Sequence, residues 1–209
     1  MSRDAITPEL IVGAYRAGYF PMAAGIHGEI GFYHYDPRGI IPLDERFAVR
    51  KSLAKFIASS SFRVTSDLAF EAVMRGCSRH GDRAPDEIWI SEELIGLYCR
   101  LHEMGIAHSI EVFDGDELVG GLYGLVLGAA FCGESMFSRR PYASQVALVS
   151  LVERLRVGGF RVLDAQMESE HLKQFGLYTV SQTEYMRLLD DALRHEAHWE
   201  QMPRETVGD

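Results

Sequence analysis

The sequence predicts an α+β protein. Helix-period apolar patterns dominate the chain up to Gly105. From His108 to Phe137 they give way to strand-period segments separated by the turn signals Asp114-Gly115 and Gly128. A helix, a strand and a last helix follow, so an antiparallel meander sits between helical stretches. With 209 residues the chain can hold one large domain, or one domain and a small satellite.

Taken in order, Thr7-Pro8-Glu9 reads as an N-cap with proline in the first turn. Leu10, Ile11, Ala14 and Tyr15 then recur at helical spacing until Gly18 and Phe20-Pro21 close the helix. Residues 25–43 are rich in Gly, Pro, Tyr and His and contain the turn signal Asp36-Pro37-Arg38-Gly39. No large core fits there, so residues 1–46 are read as a small loop-rich domain and residues 47–209 as the main one. Residues 46–63 carry five positive charges and no acid. Arg46, Arg50, Lys51 and Lys55 share one face of a predicted helix, with Phe47, Leu53, Phe56 and Ile57 on the other. This basic face has two readings, a solvated helix surface or a phosphate-binding one.

Residues 62–65 form a short strand, and Ser66-Asp67 caps a helix ending near Cys77. A polar loop over 78–86 leads to Trp89. Ser91 caps the next helix, Glu92 and Glu93 fill its first turn where the dipole favours acids, and Gly105 ends it. Residues 109–113, 118–127 and 129–137 make up the meander. Period-2 alternation puts Cys132, Glu134 and Met136 on one face of its third strand, and Phe131, Ser135 and Phe137 on the other. Residues 143–156 form a helix closed by Gly158-Gly159. Residues 162–166 form a strand with Asp164 and Gln166 on one face. The capping box Ser181-Gln182-Thr183-Glu184 opens the last long helix, and the tail from about Gln201 is polar and frayed.

Composition narrows the function. A net charge of −9 and a pI near 5.4 exclude a protein that coats nucleic acid over its whole surface, while leaving room for a local basic patch. Cys77, Cys99 and Cys132 are odd in number and widely spaced, as expected of reduced thiols in a cytosolic protein. No CxxC or HExxH pattern points to zinc. The first seven residues lack the features of a signal peptide. Residues 118–133 run 16 without a charge but hold five glycines and fall short of the ~20 that span a bilayer.

Glu134 is the sole charged residue from Leu118 to Ser138. A carboxylate buried without a partner is costly, so this one needs an ion pair or a substrate. Gly133 beside it lets another backbone or a ligand come close. A helix following a strand with a lone acid is compatible with an acyltransferase of the acetyltransferase type. Such enzymes hold the cofactor pyrophosphate on a Gly-rich helix start, whereas the loop Ser138-Arg139-Arg140-Pro141-Tyr142-Ala143 has no glycine. An acyl-CoA-dependent N-acyltransferase is therefore the alternative reading. No nucleophile has an evident base: Ser135 faces away from Glu134, and apolar surroundings raise the pKa of Cys132. Direct attack by an acceptor amine fits better than a covalent intermediate.

Five blocks lie in order along the chain. They are Ala14-Tyr15-Arg16-Ala17-Gly18-Tyr19-Phe20-Pro21-Met22, Asp36-Pro37-Arg38-Gly39-Ile40-Ile41-Pro42-Leu43, Leu118-Val119-Gly120-Gly121-Leu122-Tyr123-Gly124, Phe131-Cys132-Gly133-Glu134-Ser135-Met136-Phe137-Ser138-Arg139, and Asp164-Ala165-Gln166. Together they resemble the bacterial leucyl/phenylalanyl-tRNA–protein transferases over nearly all of the chain to about Leu189. The resemblance implies transfer of Leu or Phe, and Met less well, from aminoacyl-tRNA to proteins beginning with Arg or Lys, marking them for degradation by the N-end rule pathway. It further implies a GNAT-like catalytic domain behind the small N-terminal one, no metal or CoA, a cytoplasmic location and a monomer.

Carried over by position, Gln166, Asp164 and Glu134 are the catalytic set: Gln166, polarised by Asp164, helps take a proton from the acceptor amine, and Glu134 sits beside amine and aminoacyl end. Positioning the amine is the safer role for Gln166, since an amide alone is a very poor base. The resemblance assigns Trp89, Leu122, Phe131, Met136, Ser138 and Tyr33 to substrate, with Trp89 stacking on the terminal adenosine; the acid-free run over 46–63 points to Arg50, Lys51 and Lys55 as the contacts to tRNA phosphates. Strict alternation separates Phe131 from Met136: either a bulge near Gly133 reunites them, or one of the two is simply core. The sequence departs from the family at Phe32-Tyr33-His34-Tyr35, where Trp-Trp-Ser-Pro is usual, at Gln145 in place of a Lys, and at Leu122 in place of a frequent Met.

Overall fold

A computed structural model describes residues 6–25, 28–79 and 89–202, and the backbone of 205–206. Helix α1 (Pro8–Arg16) starts as the sequence predicts: Thr7 Oγ1 accepts the Leu10 N–H at 3.3 Å, and Gly18 turns the chain at φ +84°. Strands β1 (Phe20–Ala23) and β2 (Ile30–Tyr33) then pair in a small antiparallel sheet.

β3 (Arg38–Ile41) was expected to be turn and loop. It is a buried strand of the large sheet instead. Four residues beginning right after Pro37 are too few to show a period, and burial on both faces removes the alternation that reveals a strand. The turn itself is confined to Asp36-Pro37.

Helix α2 (Lys51–Ser59) precedes β4 (Phe62–Ser66), α3 (Phe70–Ser78) and α4 (Glu92–Glu103). The meander follows as β5 (Ala107–Asp114), β6 (Glu117–Leu127) and β7 (Ala130–Ser138). Helix α5 (Ala143–Val157) crosses over to β8 (Val162–Gln166), which pairs parallel to β7. Then come α6 (Glu170–Lys173), β9 (Tyr178–Val180), α7 (Gln182–Ala192) and β10 (Glu205–Thr206). The sheet order is β10-β4-β5-β6-β7-β8-β3-β9. Helices α1, α3 and α4 share a core on one face of the sheet, and α2 and α5 share the core on the other. No described helix is long and apolar enough to cross a membrane.

Three local expectations change. The basic helix begins at Lys51 with Arg50 as its N-cap; Arg46 lies outside it, bound to Asp44 at 2.7 Å, and Phe47 stacks on Phe175. An acid two residues upstream offers Arg46 a closer partner than the helix face does. Ser66 ends β4 rather than capping α3. Asp67 turns the chain at φ +60°, and its carboxylate accepts from the Ser109 N–H (2.9 Å), His108 Nδ1 (2.9 Å) and Trp199 Nε1 (2.7 Å). The tail, expected to fray, returns at Glu205–Thr206 to pair with β4. The polar loop predicted over 78–86 lies mostly outside the described residues.

Trp199 joins this network to the core. Its ring stacks on His108 (4.5 Å) and on Phe131 (5.5 Å), and its carbonyl accepts from Arg154 at 2.8 Å. Trp199→Ala is expected to lower the unfolding free energy by about 3–5 kcal/mol. Trp199→Phe, which keeps the stack but strips Asp67 of one donor, should cost about 1–3 kcal/mol. Urea unfolding midpoints at constant m-value check both.

Candidate functional site

The site forms where two parallel strands part. β7 and β8 pair at only three positions, Ala130↔Val162, Phe131↔Leu163 and Cys132↔Asp164. Beyond them β7 bulges: Tyr123 faces Ser135, Gly124 faces Gly133, and Glu134 is the extra residue between. The bulge anticipated near Gly133 is therefore present. It reverses the parity of the strand, so Phe131 and Met136 join the same core cluster while Cys132 and Phe137 join the one behind. A Cβ at Gly133 would meet the Asp164 carbonyl at 3.3 Å, so the missing side chain lets β8 approach as closely as it does.

A cavity of about 340 Å³ opens between the parted strands. Apolar side chains dominate its wall, among them Leu122, Met136, Leu148, Leu151 and Leu163, and its polar end carries Glu134, Asp164 and Gln166. Trp89 lines it as well. Phe131 lies behind the wall, fully buried against Trp199. Ser138 is occupied locally: its hydroxyl donates to the Arg140 carbonyl at 2.8 Å and accepts the Ser144 N–H at 3.2 Å, where α5 begins. Tyr33 stands 43% exposed on β2. Arg50, Lys51 and Lys55 are exposed at the start of α2, outside the cavity wall. None of the three is ion-paired among the described residues.

At the polar end the two acids have opposite surroundings. Asp164 is saturated. Arg38 Nε (2.9 Å) and the Gln166 backbone N–H (2.8 Å) donate to its Oδ1, and Arg38 Nη2 (2.6 Å) and the Tyr185 hydroxyl (2.8 Å) donate to its Oδ2. Asp164 thus holds Gln166 by its backbone, not by the side-chain amide as its strand face had suggested. That amide turns to the other acid: Gln166 Nε2 donates to Glu134 Oε1 at 2.5 Å. Among the described residues Glu134 Oε2 is buried with no hydrogen-bond partner. The Tyr15 and Tyr98 hydroxyls beside it bond to each other at 2.5 Å, and the Tyr123 hydroxyl is also buried and unpartnered. Burial pushes the Glu134 carboxyl up to about 7, against the downward pull of the Tyr15 hydroxyl.

Gln166 itself is strained. Its φ is +58°, and the Met167 N–H donates to the Ala165 carbonyl at 2.7 Å, closing a three-residue turn centred on it. With Nε2 given to Glu134, its Oε1 remains an acceptor at the cavity.

Arg38, Tyr185, Tyr15 and Tyr98 escaped notice as site residues in the sequence. Arg38 and Asp164 are 126 residues apart, and an arginine beside a turn motif reads as solvated. Their one signal was membership, for Arg38 and Tyr15, in the ordered blocks.

Comparison of the sequence with known proteins finds a family and close relatives. Residues 40–190 match the family described as leucyl/phenylalanyl-tRNA protein transferase, and residues 4–34 match that family's N-terminal domain. A protein of that name from Paramagnetospirillum magneticum is 53% identical over 194 residues, covering 92% of this chain and 91% of its own. Another of that name from Rubrobacter xylanophilus is 51% identical over 190 residues, covering 90% of this chain and 96% of its own.

The raised carboxyl has a stability signature. Folded Glu134 titrates near 7 against an ordinary 4.5, so the folded state keeps a proton that the unfolded state gives up. Its contribution is therefore full below pH 4.5 and is lost as pH rises towards 7. Glu134→Gln, which cannot ionise, should gain on wild type by roughly 3 kcal/mol between these limits. Denaturant unfolding of both proteins at pH 4.5 and pH 8 reads the difference directly; a constant offset would mean that Glu134 ionises normally.

Proposed function

The chain belongs to the leucyl/phenylalanyl-tRNA–protein transferase family, and on that premise we propose that it moves Leu or Phe, and Met less well, from aminoacyl-tRNA to the α-amine of proteins beginning with Arg or Lys. The product is marked for degradation by the N-end rule pathway, in the cytoplasm, by a monomer. The observation that carries this reading is the apolar cavity closed at one end by Glu134 and Gln166, each with a free acceptor oxygen.

An aminoacyl side chain of Leu, Phe or Met size fits the apolar wall, with Leu122 and Met136 in contact and Phe131 backing them. The terminal adenosine stacks on Trp89, worth about 1–3 kcal/mol. Ser138 and Tyr33 contact substrate further out. Arg50, Lys51 and Lys55 take tRNA phosphates; their lack of ion-pair partners among the described residues supports this.

The acceptor ammonium gives a proton to the Glu134 carboxylate, and its freed amine donates to Gln166 Oε1, which aims the nitrogen at the ester carbonyl. A C–N bond forms, the ester C–O bond breaks, and the terminal ribose oxygen leaves with a proton from the attacking nitrogen. Asp164 keeps Gln166 in place. The catalytic domain is acetyltransferase-like: the antiparallel meander, the crossover helix α5 and the splayed parallel pair β7 and β8 support that fold. The loop-rich N-terminal domain over 1–46 is proposed likewise, with β3 the strand it lends to the sheet of the domain over 47–209.

Incubation with charged Leu-tRNA and a peptide beginning with Arg should add one leucyl residue by mass. Micromolar binding of acetyl-CoA with no transfer would favour the acyl-CoA alternative, and binding without a new peptide bond would mean a silent binding module. Gln166→Ala should lose on the order of 10²–10³ in kcat. Gln166→Glu should be nearly as poor at every pH, since a second carboxylate beside Glu134 repels the charge that must form there. Full activity of Gln166→Ala would remove this amide from the site. Changing Arg50, Lys51 and Lys55 together to Ala should flatten the salt dependence of log KM for charged tRNA by roughly 0.7–0.9 per lost phosphate contact.

A further inference from the structure

The Arg38–Asp164–Tyr185 cluster is left without a chemical task by the reaction just described. Both charged members are 0% exposed. Arg38 is held between the rings of Phe20 (5.1 Å) and Tyr185 (4.4 Å), and its Nη1 donates to the Gly18 carbonyl at 3.3 Å. It thereby joins the chain reversal after α1, the strands β3 and β8, and helix α7. A buried ion pair adds little net stability against an apolar replacement. What this one does is occupy three of the four hydrogen bonds that Asp164 accepts through Arg38 and Tyr185, the fourth being the Gln166 N–H. That N–H belongs to a residue in a left-handed turn that few side chains adopt unaided.

We propose that Arg38 and Tyr185 are positioning residues for the transfer reaction: they lock the Asp164 carboxylate in the one orientation that grips the Gln166 backbone, and so aim its side-chain amide at the acceptor amine. This rests on the transferase reading above. It assigns Asp164 a mechanical role, since a carboxylate with four donors has no lone pair left to polarise the amide or take a proton.

The cluster also balances charge around the cavity. The ionisable groups facing Glu134 are Tyr15 from α1, Tyr98 from α4, Tyr123 from β6, Cys132 from its own strand, Asp164 from β8 and Arg38 from β3. Arg38 is the only cation among these six, and it offsets Asp164. Removing Arg38 alone leaves two neighbouring carboxylates and should move the Glu134 titration to higher pH. Removing both charges should return it.

The test measures kcat per folded molecule, KM for charged tRNA and the pH midpoint of kcat. Wild type, Tyr185→Phe, Arg38→Gln and the neutral double variant Arg38→Gln/Asp164→Asn are compared with Leu-tRNA and an Arg-initiated peptide. Tyr185→Phe, which keeps the ring and every charge, should lose about ten-fold in kcat with KM for charged tRNA within two-fold, the loss expected for one hydrogen bond to a charged group. Arg38→Gln should shift the midpoint alkaline by about one pH unit or more, and the double variant should restore it. If Arg38→Gln does not fold, Tyr185→Phe and the double variant still decide. Wild-type kcat per folded molecule in Tyr185→Phe, or a double variant whose midpoint stays displaced, would overturn the proposal alone. A wild-type protein that transfers nothing would overturn the transferase reading and this proposal with it.

Discussion

The short pairing of β7 with β8 is the constraint on which the rest of the site depends. Parallel strands joined by a crossover helix ordinarily stay paired along their shared length. Here the pairing stops after Cys132 and Asp164, because β7 spends an extra residue at Glu134 and β8 ends in the left-handed turn at Gln166. Backbone groups that would have bonded to each other instead border a cavity, and the two side chains at the fork, a carboxyl and an amide, bond across it. The hole in the sheet and its chemistry thus have one cause. Without the bulge, alternation would keep Met136 on the face of Cys132, away from the apolar wall it now lines.

Around that fork the protein keeps two carboxyls about as different as burial allows. Asp164 is surrounded by donors and a guanidinium. Glu134 has beside it the Tyr15 and Tyr98 hydroxyls, which bond to each other, the Tyr123 hydroxyl, and one amide. Asp164 has four fixed donors, whereas Glu134 accepts from one amide, so burial weighs more heavily on Glu134. Burial thus leaves Glu134 to change charge at about pH 7.

Much of this was legible in the sequence, and what was not has physical reasons. The meander, α5, the cap at Ser91 and the capping box at Ser181 were readable because turn residues and periodicity are local properties. Glu134 stood out because a lone acid in an apolar strand is expensive, and the bulge was anticipated from the need to bring Phe131 and Met136 to one face. β3 was missed because four residues buried on both sides carry no periodic mark. Asp67 was misread because a cap and a long-range acceptor use the same residue type, and only the fold decides which donors reach it. The grip of Asp164 on a backbone N–H depended on the φ of Gln166, which no pattern of residue types specifies.

The back of the cavity has a consequence for how the protein is made. Phe131, behind the apolar wall, leans on Trp199, and Trp199 is fixed through Asp67, Arg154 and His108. Arg38, near the start, waits for Asp164. The contacts that shape the cavity therefore join the earliest and the latest parts of the chain to its middle. During synthesis on a ribosome, which releases the N-terminal end first, α1 and β3 emerge long before their partners exist. Phe131, which backs the apolar wall, gains its stacking partner only once the Trp199 segment has been made. Contacts this far apart in sequence close slowly, so the finished site is expected late in folding rather than early.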